Sequence, residues 1–259
     1  LLYDELSHSS TNIGIRLSSA KSIKFKHNDS NHAESLLKKH RKKYFHCFIL
    51  TEGVFSMDGD RGKIKELAFL ANKYDASIIL DDAHGFGVLG NGKGSLYEYN
   101  PIPEILVQMG TLSKAIGSYG GFVTAPKTII KLLHNKARSL IYTTGLPPGT
   151  LAASIKSLEI IMKNSKITHK PYQYAKLFCE IAELPIPESS IVSIIMHSEK
   201  NAIKASKLLE KYGYYVGAIR PPTVPKNTSR LRFTFSSAHK KKDIISLAEH
   251  TKNILKGIN

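Results

Sequence analysis

Two carboxylates and a histidine directly follow one apolar stretch of the sequence. Asp81, Asp82 and His84 come after residues 77–80, a short apolar run that predicts a buried strand. In open α/β sheets, ligands bind beyond the carboxyl ends of the strands, which is where these side chains would lie. Groups of these types can hold a protonated ring nitrogen or move protons. The alternative is that the two aspartates only cap a turn in a Gly-rich loop.

One lysine follows another apolar stretch and is surrounded by small and hydroxyl-bearing residues. Lys114 lies within residues 109–121, where Gly, Ser, Thr and Ala predominate. A lysine that forms a Schiff base needs such a tight, partly desolvated site with hydroxyl groups nearby. Thr111 and Ser113 are suited to hydrogen-bond a phosphate. The segment is not a P-loop, because the spacing Gly-x4-Gly-Lys-Ser/Thr is absent.

A carboxylate and a lysine at the ends of two strands match what pyridoxal phosphate chemistry requires. The lysine binds the cofactor aldehyde, and the carboxylate keeps the ring nitrogen protonated so that the ring accepts electrons. Asp81 and Lys114 follow two different predicted strands, which allows both side chains to face one crevice. The two segments together therefore indicate a pyridoxal phosphate site.

Alternating strands and helices are predicted to position these residues. Apolar spacing over residues 64–74 predicts a helix, which Asp58 or Asp60 would cap. Strands are predicted at residues 45–50, 77–80, 105–109 and 121–124. Strands separated by helices at these intervals are typical of an α/β fold with a mainly parallel sheet.

The sequence pattern changes after residue 146. Pro147 and Pro148 break the chain, and apolar spacing then predicts a helix over residues 151–162. Residues 163–190 contain three prolines and predict irregular structure. The elements predicted after them are a strand at 191–196, a helix at 199–212, strands at 214–219 and 230–235, and a helix from 241.

This order of elements indicates a smaller C-terminal α+β domain after the α/β domain. We therefore expect three parts: a large domain over residues 1–146, a connecting helix over residues 147–164, and a small domain over residues 165–259.

The charge of the chain is strongly basic and comes mainly from lysine. The formal net charge is +16, from 37 Lys and Arg against 21 Asp and Glu, and only seven of the basic residues are arginine. The densest run, residues 38–43, has no interleaved aromatic residues for base stacking. Nucleic-acid readers rely more on arginine, which binds phosphates and bases through two parallel hydrogen bonds. A solvated surface is therefore favoured over a nucleic-acid partner, and attraction of an anionic substrate or an acidic carrier protein stays open.

The sequence favours neither a disulfide scaffold, nor a metal site, nor a membrane segment. Cys47 and Cys179 are the only cysteines, too few for a disulfide framework or a cysteine-based metal cluster. The histidines at positions 27, 32, 40 and 46 have no carboxylate or cysteine at metal-ligand spacing. No apolar run approaches the roughly 20 residues that cross a bilayer, and the N-terminus lacks the layout of a secretory signal. We expect a reduced cytoplasmic protein without a bound metal and without a membrane partner.

Six motifs, in family order and over nearly the whole chain, resemble those of the α-oxoamine synthases. They are DELSHSS at residues 4–10, TEGVFSMDGD at 51–60, DDAHG at 81–85, GTLSK at 110–114, YTTGLPP at 142–148 and SRLRFT at 229–234. This family consists of class II aminotransferase-like, fold-type I pyridoxal phosphate enzymes that condense an amino acid with an acyl thioester. The resemblance implies a fold-type I large domain, pyridoxal 5'-phosphate as the cofactor, and a homodimer with active sites at its interface.

One octapeptide bears on the branch of the family. Residues 218–225, AIRPPTVP, most resemble the branch that acts in biotin biosynthesis. That branch implies decarboxylative condensation of L-alanine with a pimeloyl thioester, carried by coenzyme A or an acyl carrier protein, to give 8-amino-7-oxononanoate. Two alternatives stay open: a glycine-using sister synthase of the 2-amino-3-ketobutyrate or 5-aminolevulinate type, and an inactive truncated remnant.

The resemblance also implies roles for individual residues around the cofactor. Lys114 would form the Schiff base and later take the Cα proton of the amino acid. Asp81 would pair with the ring nitrogen, and His84 would hydrogen-bond the ring oxygen and move protons. Ser56 would lie near the same edge of the ring, and Thr111 would contact the cofactor phosphate.

Further residues are implied at the phosphate and the substrate. Thr143 or Thr144 would reach the phosphate of a neighbouring subunit. Arg232 would bind the substrate carboxylate through two parallel hydrogen bonds, a geometry that suits arginine. The alternative is that Arg232, or its neighbour Arg230, forms an ion pair on a strand face. Glu52 follows a strand end and would meet the substrate or, equally, form a structural ion pair.

Members of this family are longer at the N-terminus than this sequence. The part expected to be missing supplies the first elements of the large domain, a Gly-aromatic turn that binds the cofactor phosphate, and a histidine that stacks on the ring. Residues 162–190 also look shorter than usual. We therefore expect a chain that keeps the chemical residues and lacks one wall of the site.

Overall fold

The computed structural model describes residues 1–258, which divide into two compact units. The first unit comprises residues 1–55 and 61–165, and the second comprises residues 56–60 and those from 166 onward. This division departs from the predicted domains in two places. Residues 56–60 belong to the second unit, where the Gly59 carbonyl accepts a hydrogen bond from Ser189 Oγ at 2.6 Å. The predicted connecting helix packs into the first unit, where Ser157 Oγ donates to the Ile116 carbonyl at 2.7 Å.

A six-stranded sheet in the order β2-β1-β3-β4-β5-β6 organises the first unit. The strands are β1 (Leu2–Asp4), β2 (Ile23–Phe25), β3 (Phe48–Glu52), β4 (Ser77–Asp81), β5 (Val107–Thr111) and β6 (Gly121–Thr124). Neighbouring strands are parallel except β5 and β6, which are antiparallel, so the predicted mainly parallel sheet is confirmed. Asp81 lies opposite Glu52 on one side and Met109 on the other. The strands β3, β4 and β5 therefore end side by side.

Six helices in residues 1–165 lie between the strands of this sheet or follow its last strand. They are α1 (Ser9–Leu17), α2 (Ser30–His40), α3 (Ile64–Lys73), α4 (Lys127–Lys136), α5 (Arg138–Ile141) and α6 (Pro148–Lys163), with short 3-10 turns at Arg41–Lys43, Gly90–Gly92 and Ser95–Glu98. The predicted cap of α3 is wrong. The N-cap of α3 is Lys63, which makes no side-chain capping bond, and the Asp58 carboxylate instead pairs with Arg230 in the second unit.

The core of the first unit lies around the middle of the sheet. Ile49 on β3, Ile78 and Leu80 on β4, and Leu67 on α3 are each at most 2% exposed. The apolar residues of α3 recur at helical spacing and therefore form one buried face. By contrast, α4 and α5 contain no buried residue, and α6 contains only Ser154.

A three-stranded antiparallel sheet in the order β7-β9-β8 organises the second unit. Its elements are α7 (Lys166–Ile181), β7 (Ile191–His197), α8 (Glu199–Lys211), β8 (Gly217–Ile219), β9 (Ser229–Thr234) and α9 (Lys241–Lys256). The irregular structure predicted for residues 166–181 is wrong. Pro171 is the sixth residue of α7, where proline removes one hydrogen bond to the carbonyl four residues earlier. The buried Phe178 of the same helix packs against Phe233 with ring centroids 4.7 Å apart, so tertiary burial stabilises the helix.

Candidate active site

The carboxylate predicted to bind a ring nitrogen is fixed at the end of β4. Asp81 is the last residue of that strand, and its backbone carbonyl accepts a hydrogen bond from the Gly53 N–H at 2.7 Å. Its side-chain Oδ1 accepts from the Ala83 N–H at 2.9 Å. The side chain is half-buried. The local backbone therefore orients the Asp81 carboxylate while leaving part of it accessible.

The neighbouring carboxylate serves the fold rather than a ligand. Asp82 is fully buried, and its Oδ2 accepts hydrogen bonds from the Ser95 N–H at 2.9 Å and from Gln108 Nε2 at 2.8 Å. Burial raises the pKa of Asp82 to about 6. Asp82 thus ties the turn at Ser95 and the strand β5 to the end of β4, which corrects the expectation that both aspartates reach the crevice.

Three glycines make room for the Asp82 carboxylate. A Cβ at Gly85 would lie 2.0 Å from Asp82 Oδ1, and one at Gly53 would lie 2.3 Å from the same atom. A Cβ at Gly94 would lie 2.2 Å from Asp82 Oδ2, and Gly94 also has a φ of +112°. Any side chain at these positions would displace the carboxylate that holds the strand ends together.

A second carboxyl group is buried beside Asp81. Glu52, the last residue of β3, is 4% exposed, and its Oε1 accepts a hydrogen bond from the N–H of His8. Burial and then the charge of Asp81 raise the pKa of Glu52 to about 8, while the charge of Lys114 opposes that rise. His8 caps α1, because its Nδ1 accepts from the Ser10 N–H at 3.2 Å. The structure therefore brings Glu52, Asp81 and Lys114 within electrostatic reach of each other.

The predicted lysine lies in a tight loop between β5 and β6. The Leu112 N–H donates to the Gly120 carbonyl at 2.9 Å, and the Ser118 N–H donates to the Leu112 carbonyl at 2.8 Å, which closes the loop. The Lys114 side chain is exposed. At the start of the loop, Thr111 Oγ1 lies 2.7 Å from Ser113 Oγ and donates to the Gly120 carbonyl at 3.1 Å. The two hydroxyl groups predicted to bind a phosphate are thus next to each other.

His84 lies in the turn that follows β4. The Asp82 carbonyl accepts hydrogen bonds from the Gly85 N–H at 3.1 Å and the Phe86 N–H at 2.9 Å, which wraps the turn around His84. The His84 side chain is half-buried. His84 therefore lies in the turn directly after the strand end that carries Asp81, and its role toward the ring oxygen stays a prediction.

Thr143 and Thr144 belong to a different part of the first unit. They lie in the segment between α5 and α6, and both are exposed. This segment is outside the strand ends that carry Glu52, Asp81 and Lys114. Their predicted role toward a neighbouring subunit stays a prediction.

The second unit holds the two candidate arginines and Ser56. Arg230 Nη1 pairs with the Asp58 carboxylate and also donates to the Met57 carbonyl at 3.3 Å. Arg232 Nε donates to the Ser56 carbonyl at 2.6 Å, and burial lowers the pKa of its guanidinium. Arg230 is therefore the structural ion pair, and within residues 1–258 Arg232 is the arginine of the two without a carboxylate partner.

Sequence reasoning missed three groups that shape this site. The backbone N–H of His8, the side chain of Gln108 and the turn at Ser95 all hold buried carboxyl groups. Their contacts join residues that are far apart in the chain, so no local sequence pattern indicates them. The glycines that surround Asp82 were the available signal, since each follows a strand end or precedes a turn.

Neither a metal cluster nor a membrane helix is found in the part of the chain that the structure describes. No group of three or more His, Cys, Asp and Glu side chains among residues 1–258 is arranged to hold a metal ion. Over the same residues, no helix combines the length and apolar character that crossing a membrane requires.

Comparison with known proteins identifies the family. The family model for aminotransferase class I and II matches residues 1–250. The chain belongs to the aminotransferase class I and II family. Within this family, it is 45% identical to 8-amino-7-oxononanoate synthase of Methylocella silvestris, over 99% of this chain and 73% of the relative. It is also 45% identical to the enzyme of the same name from Granulibacter bethesdensis, over 98% of this chain and 66% of that relative.

Solved structures of the same aminotransferase family share the fold. The structure of SPT with a PLP internal aldimine matches with a TM-score of 0.93 and 26% identity, over 99% of this chain and 66% of that one. The 8-amino-7-oxononanoate synthase of Francisella tularensis matches with a TM-score of 0.81 and 29% identity, over 99% and 75%. The predicted α/β fold of fold-type I is therefore confirmed. The chain spans about two thirds to three quarters of the length of these relatives.

Proposed function

We propose that this protein catalyses the decarboxylative condensation of L-alanine with a pimeloyl thioester, giving 8-amino-7-oxononanoate in biotin biosynthesis. The observation that carries the proposal is the 45% identity to 8-amino-7-oxononanoate synthases over nearly the whole chain. The octapeptide at residues 218–225 supports the same branch. A glycine-using sister synthase and an inactive remnant are the outcomes that the experiment below separates from it.

The residues at the strand ends fit pyridoxal 5'-phosphate as the cofactor. The Asp81 carboxylate is held by the Ala83 N–H and stays partly accessible, as a partner for a ring nitrogen must be. Lys114 lies exposed in the loop after the adjacent strand. The paired hydroxyl groups of Thr111 and Ser113 supply donors for a phosphate. The donor set therefore matches the three polar parts of the cofactor.

These residues have distinct tasks in the proposed reaction. When bound, pyridoxal phosphate supplies an electron sink for the carbanion that forms at Cα of the amino acid. Lys114 Nζ would hold the cofactor through its aldehyde group and would take the proton from Cα of the amino acid. Asp81 would accept a hydrogen bond from the ring nitrogen. His84 would hydrogen-bond the ring oxygen and move protons, and Thr111 would bind the phosphate.

Further residues are proposed to bind substrate and to complete the site. Arg232 binds the amino acid carboxylate, a role supported by its lack of a carboxylate partner in the described residues. Ser56 supplies a hydroxyl near the ring edge. Thr143 or Thr144 reaches the phosphate of a neighbouring subunit.

A cytoplasmic homodimer is the proposed state of the protein. Large apolar side chains are exposed on α4, α5 and α6, for example Leu132 at 53%, Leu140 at 48% and Ile155 at 59%. Exposed apolar surface of this kind supports contact with a partner. The charge of +16 supports attraction of coenzyme A phosphates or of an acidic carrier protein. Sedimentation of the cofactor-loaded protein tests the oligomeric state, and a monomer at assay concentration contradicts it.

Product analysis with defined substrates tests the proposed reaction. Purified protein is loaded with pyridoxal phosphate and given L-alanine or glycine, with the pimeloyl group on coenzyme A or on an acyl carrier protein. Equal release of CO2 and of thiol with L-alanine, together with 8-amino-7-oxononanoate, supports the proposal. Turnover with glycine alone indicates the sister synthase. Cofactor binding without turnover on any pair indicates the remnant and contradicts the proposal.

A further inference from the structure

Two carboxyl groups end neighbouring strands at the centre of the candidate site. Glu52 on β3 lies opposite Asp81 on β4 in the parallel register. Glu52 is 4% exposed, whereas Asp81 is half-buried. The Glu52 carboxyl group is also held in place, since its Oε1 accepts a hydrogen bond from the N–H of His8 at the start of α1. Glu52 is therefore a buried and hydrogen-bonded carboxyl group on the strand next to Asp81.

The charged groups that face Glu52 come from three elements. Asp81 on β4 and Asp4 on β1 both disfavour a second negative charge, and Lys114 in the loop after β5 favours one. The N–H of His8 supplies one donor. Burial is the largest influence, and together these groups raise the pKa of Glu52 to about 8.

Asp4 shows how another carboxylate is held at this depth. It is fully buried, and it accepts hydrogen bonds from the Leu6 N–H, the Asn28 N–H and His27 Nδ1, each at 2.9 Å. Several donors of this kind offset the cost of burying a charge. Glu52 lies at a similar depth, with the His8 N–H on its Oε1 and the charge of Asp81 on the adjacent strand.

We propose that Glu52 carries a proton at neutral pH and acts as a positioning residue, leaving Asp81 as the negative charge of the pair. This inference rests on the proposed function. Lys114 must be a neutral amine to bind a carbonyl carbon and to take a proton from Cα. An ionised Glu52 would stabilise the ammonium form of Lys114 instead, because opposite charges attract strongly at a buried site. A protonated Glu52 does not stabilise the ammonium form of Lys114, and it can still accept the hydrogen bond from the N–H of His8.

Infrared spectroscopy of the cofactor-free protein tests the proton directly. Spectra are recorded between pH 7 and pH 9 for the wild type, for Glu52→Gln and for the control Glu66→Gln, which changes an exposed residue of α3. We expect the carbonyl band of a buried carboxylic acid in the wild type and the control, fading near pH 8, and its absence in Glu52→Gln. Asp82 does not interfere, since its pKa of about 6 lies below this range. Absence of the band in the folded wild type, or its persistence in Glu52→Gln, overturns the proposal.

The pH profile of the cofactor-loaded protein tests the positioning role. Glutamine has the shape of a protonated glutamate and cannot ionise, so Glu52→Gln should abolish the part of the alkaline activity loss that is centred near pH 8. A loss above about 100-fold at pH 7, with circular dichroism showing a folded protein, means that the charged form is required and overturns the proposal. If no variant binds cofactor, the proposed function fails, while the infrared result still reports the proton.

Discussion

The central strands of the first unit and the helices that follow its sheet differ in what holds them. At β3 and β4, side chains such as Ile49 and Leu80 are completely buried, and the strand ends that carry Glu52 and Asp81 are joined by hydrogen bonds. In the helical region after β6, α4 and α5 have no buried residue, and Thr143 lies exposed between α5 and α6. The chain's own core therefore fixes the carboxyl groups of the site. Thr143 and Thr144, by contrast, lie in an exposed segment beside helices with few buried residues.

The largest expected difference between the two regions is catalytic. Asp81→Asn removes the charge that we propose keeps the ring nitrogen protonated, while preserving the side chain's shape. We expect kcat/KM to fall by about 1,000-fold, equivalent to about 4 kcal/mol. Thr143→Val removes one hydroxyl group from the exposed segment, and we expect a loss of about tenfold. Steady-state kinetics at saturating cofactor measures both, and equal losses would remove the distinction between the two regions.

A stability difference should accompany the catalytic one. Leu80→Ala empties a fully buried position on β4, and we expect the free energy of unfolding to fall by about 3 kcal/mol. Ile155→Ala changes a side chain on α6 that is 59% exposed, and we expect a change below about 0.5 kcal/mol. Denaturant unfolding followed by circular dichroism measures both. A cost for Ile155→Ala as large as that for Leu80→Ala would show that α6 is covered in solution.

Two glycine substitutions sharpen the comparison at the level of single atoms. A Cβ at Gly85 would meet Asp82 Oδ1 at 2.0 Å, whereas one at Gly149 on α6 would meet nothing within 4 Å. We expect Gly85→Ala to destabilise the protein by about 2 kcal/mol through overpacking. Gly149→Ala should leave stability unchanged or raise it by up to about 1 kcal/mol, because alanine favours helix. The same unfolding assay applies, and a harmless Gly85→Ala would mean that Asp82 is not confined.

A pH dependence of stability is also expected at the strand ends that carry the carboxyl groups. The pKa of Glu52 rises from 4.5 to about 8 on folding, so between these values the folded state holds a proton that the unfolded chain has lost. Stability relative to Glu52→Gln should therefore fall as pH rises through this window, by at most about 1.4 kcal/mol per pH unit, and level off above pH 8. Unfolding midpoints of the two proteins across pH 5 to 9 measure the difference. If the unfolding midpoints of the wild type and Glu52→Gln changed with pH in parallel, this result would contradict a protonated Glu52.

The strands that carry the chemistry could be predicted because each is a short apolar run followed by its functional residue. The strand ending at Asp81 begins at Ser77 as predicted, and β6 has the predicted bounds of Gly121 and Thr124. The strands β1 and β2 were not predicted, since three residues each are too few to show a period. The helix α7 was missed because Pro171 was read as a breaker.

The hydrogen-bond and ion-pair partners of the site residues could not be predicted from the sequence, because these partners lie far away in the chain. The N–H that holds Glu52 belongs to His8 on another element. The ion pair that removes Asp58 from the cap of α3 comes from Arg230, in a strand near the C-terminus. Residue types therefore indicate which chemistry is available, and only the folded contacts show which of two neighbouring arginines or aspartates is committed to structure.

Trapping the cofactor on the protein tests the central claim most directly. Purified protein is incubated with pyridoxal phosphate, reduced with borohydride and digested, and the modified peptide is identified by mass spectrometry. Lys114→Ala and Lys131→Ala, which changes an exposed lysine of α4, serve as the paired variants. We predict one modified lysine, Lys114, in the wild type and in Lys131→Ala, and none in Lys114→Ala. Unmodified but folded wild-type protein, or modification spread over other lysines, would contradict the assignment.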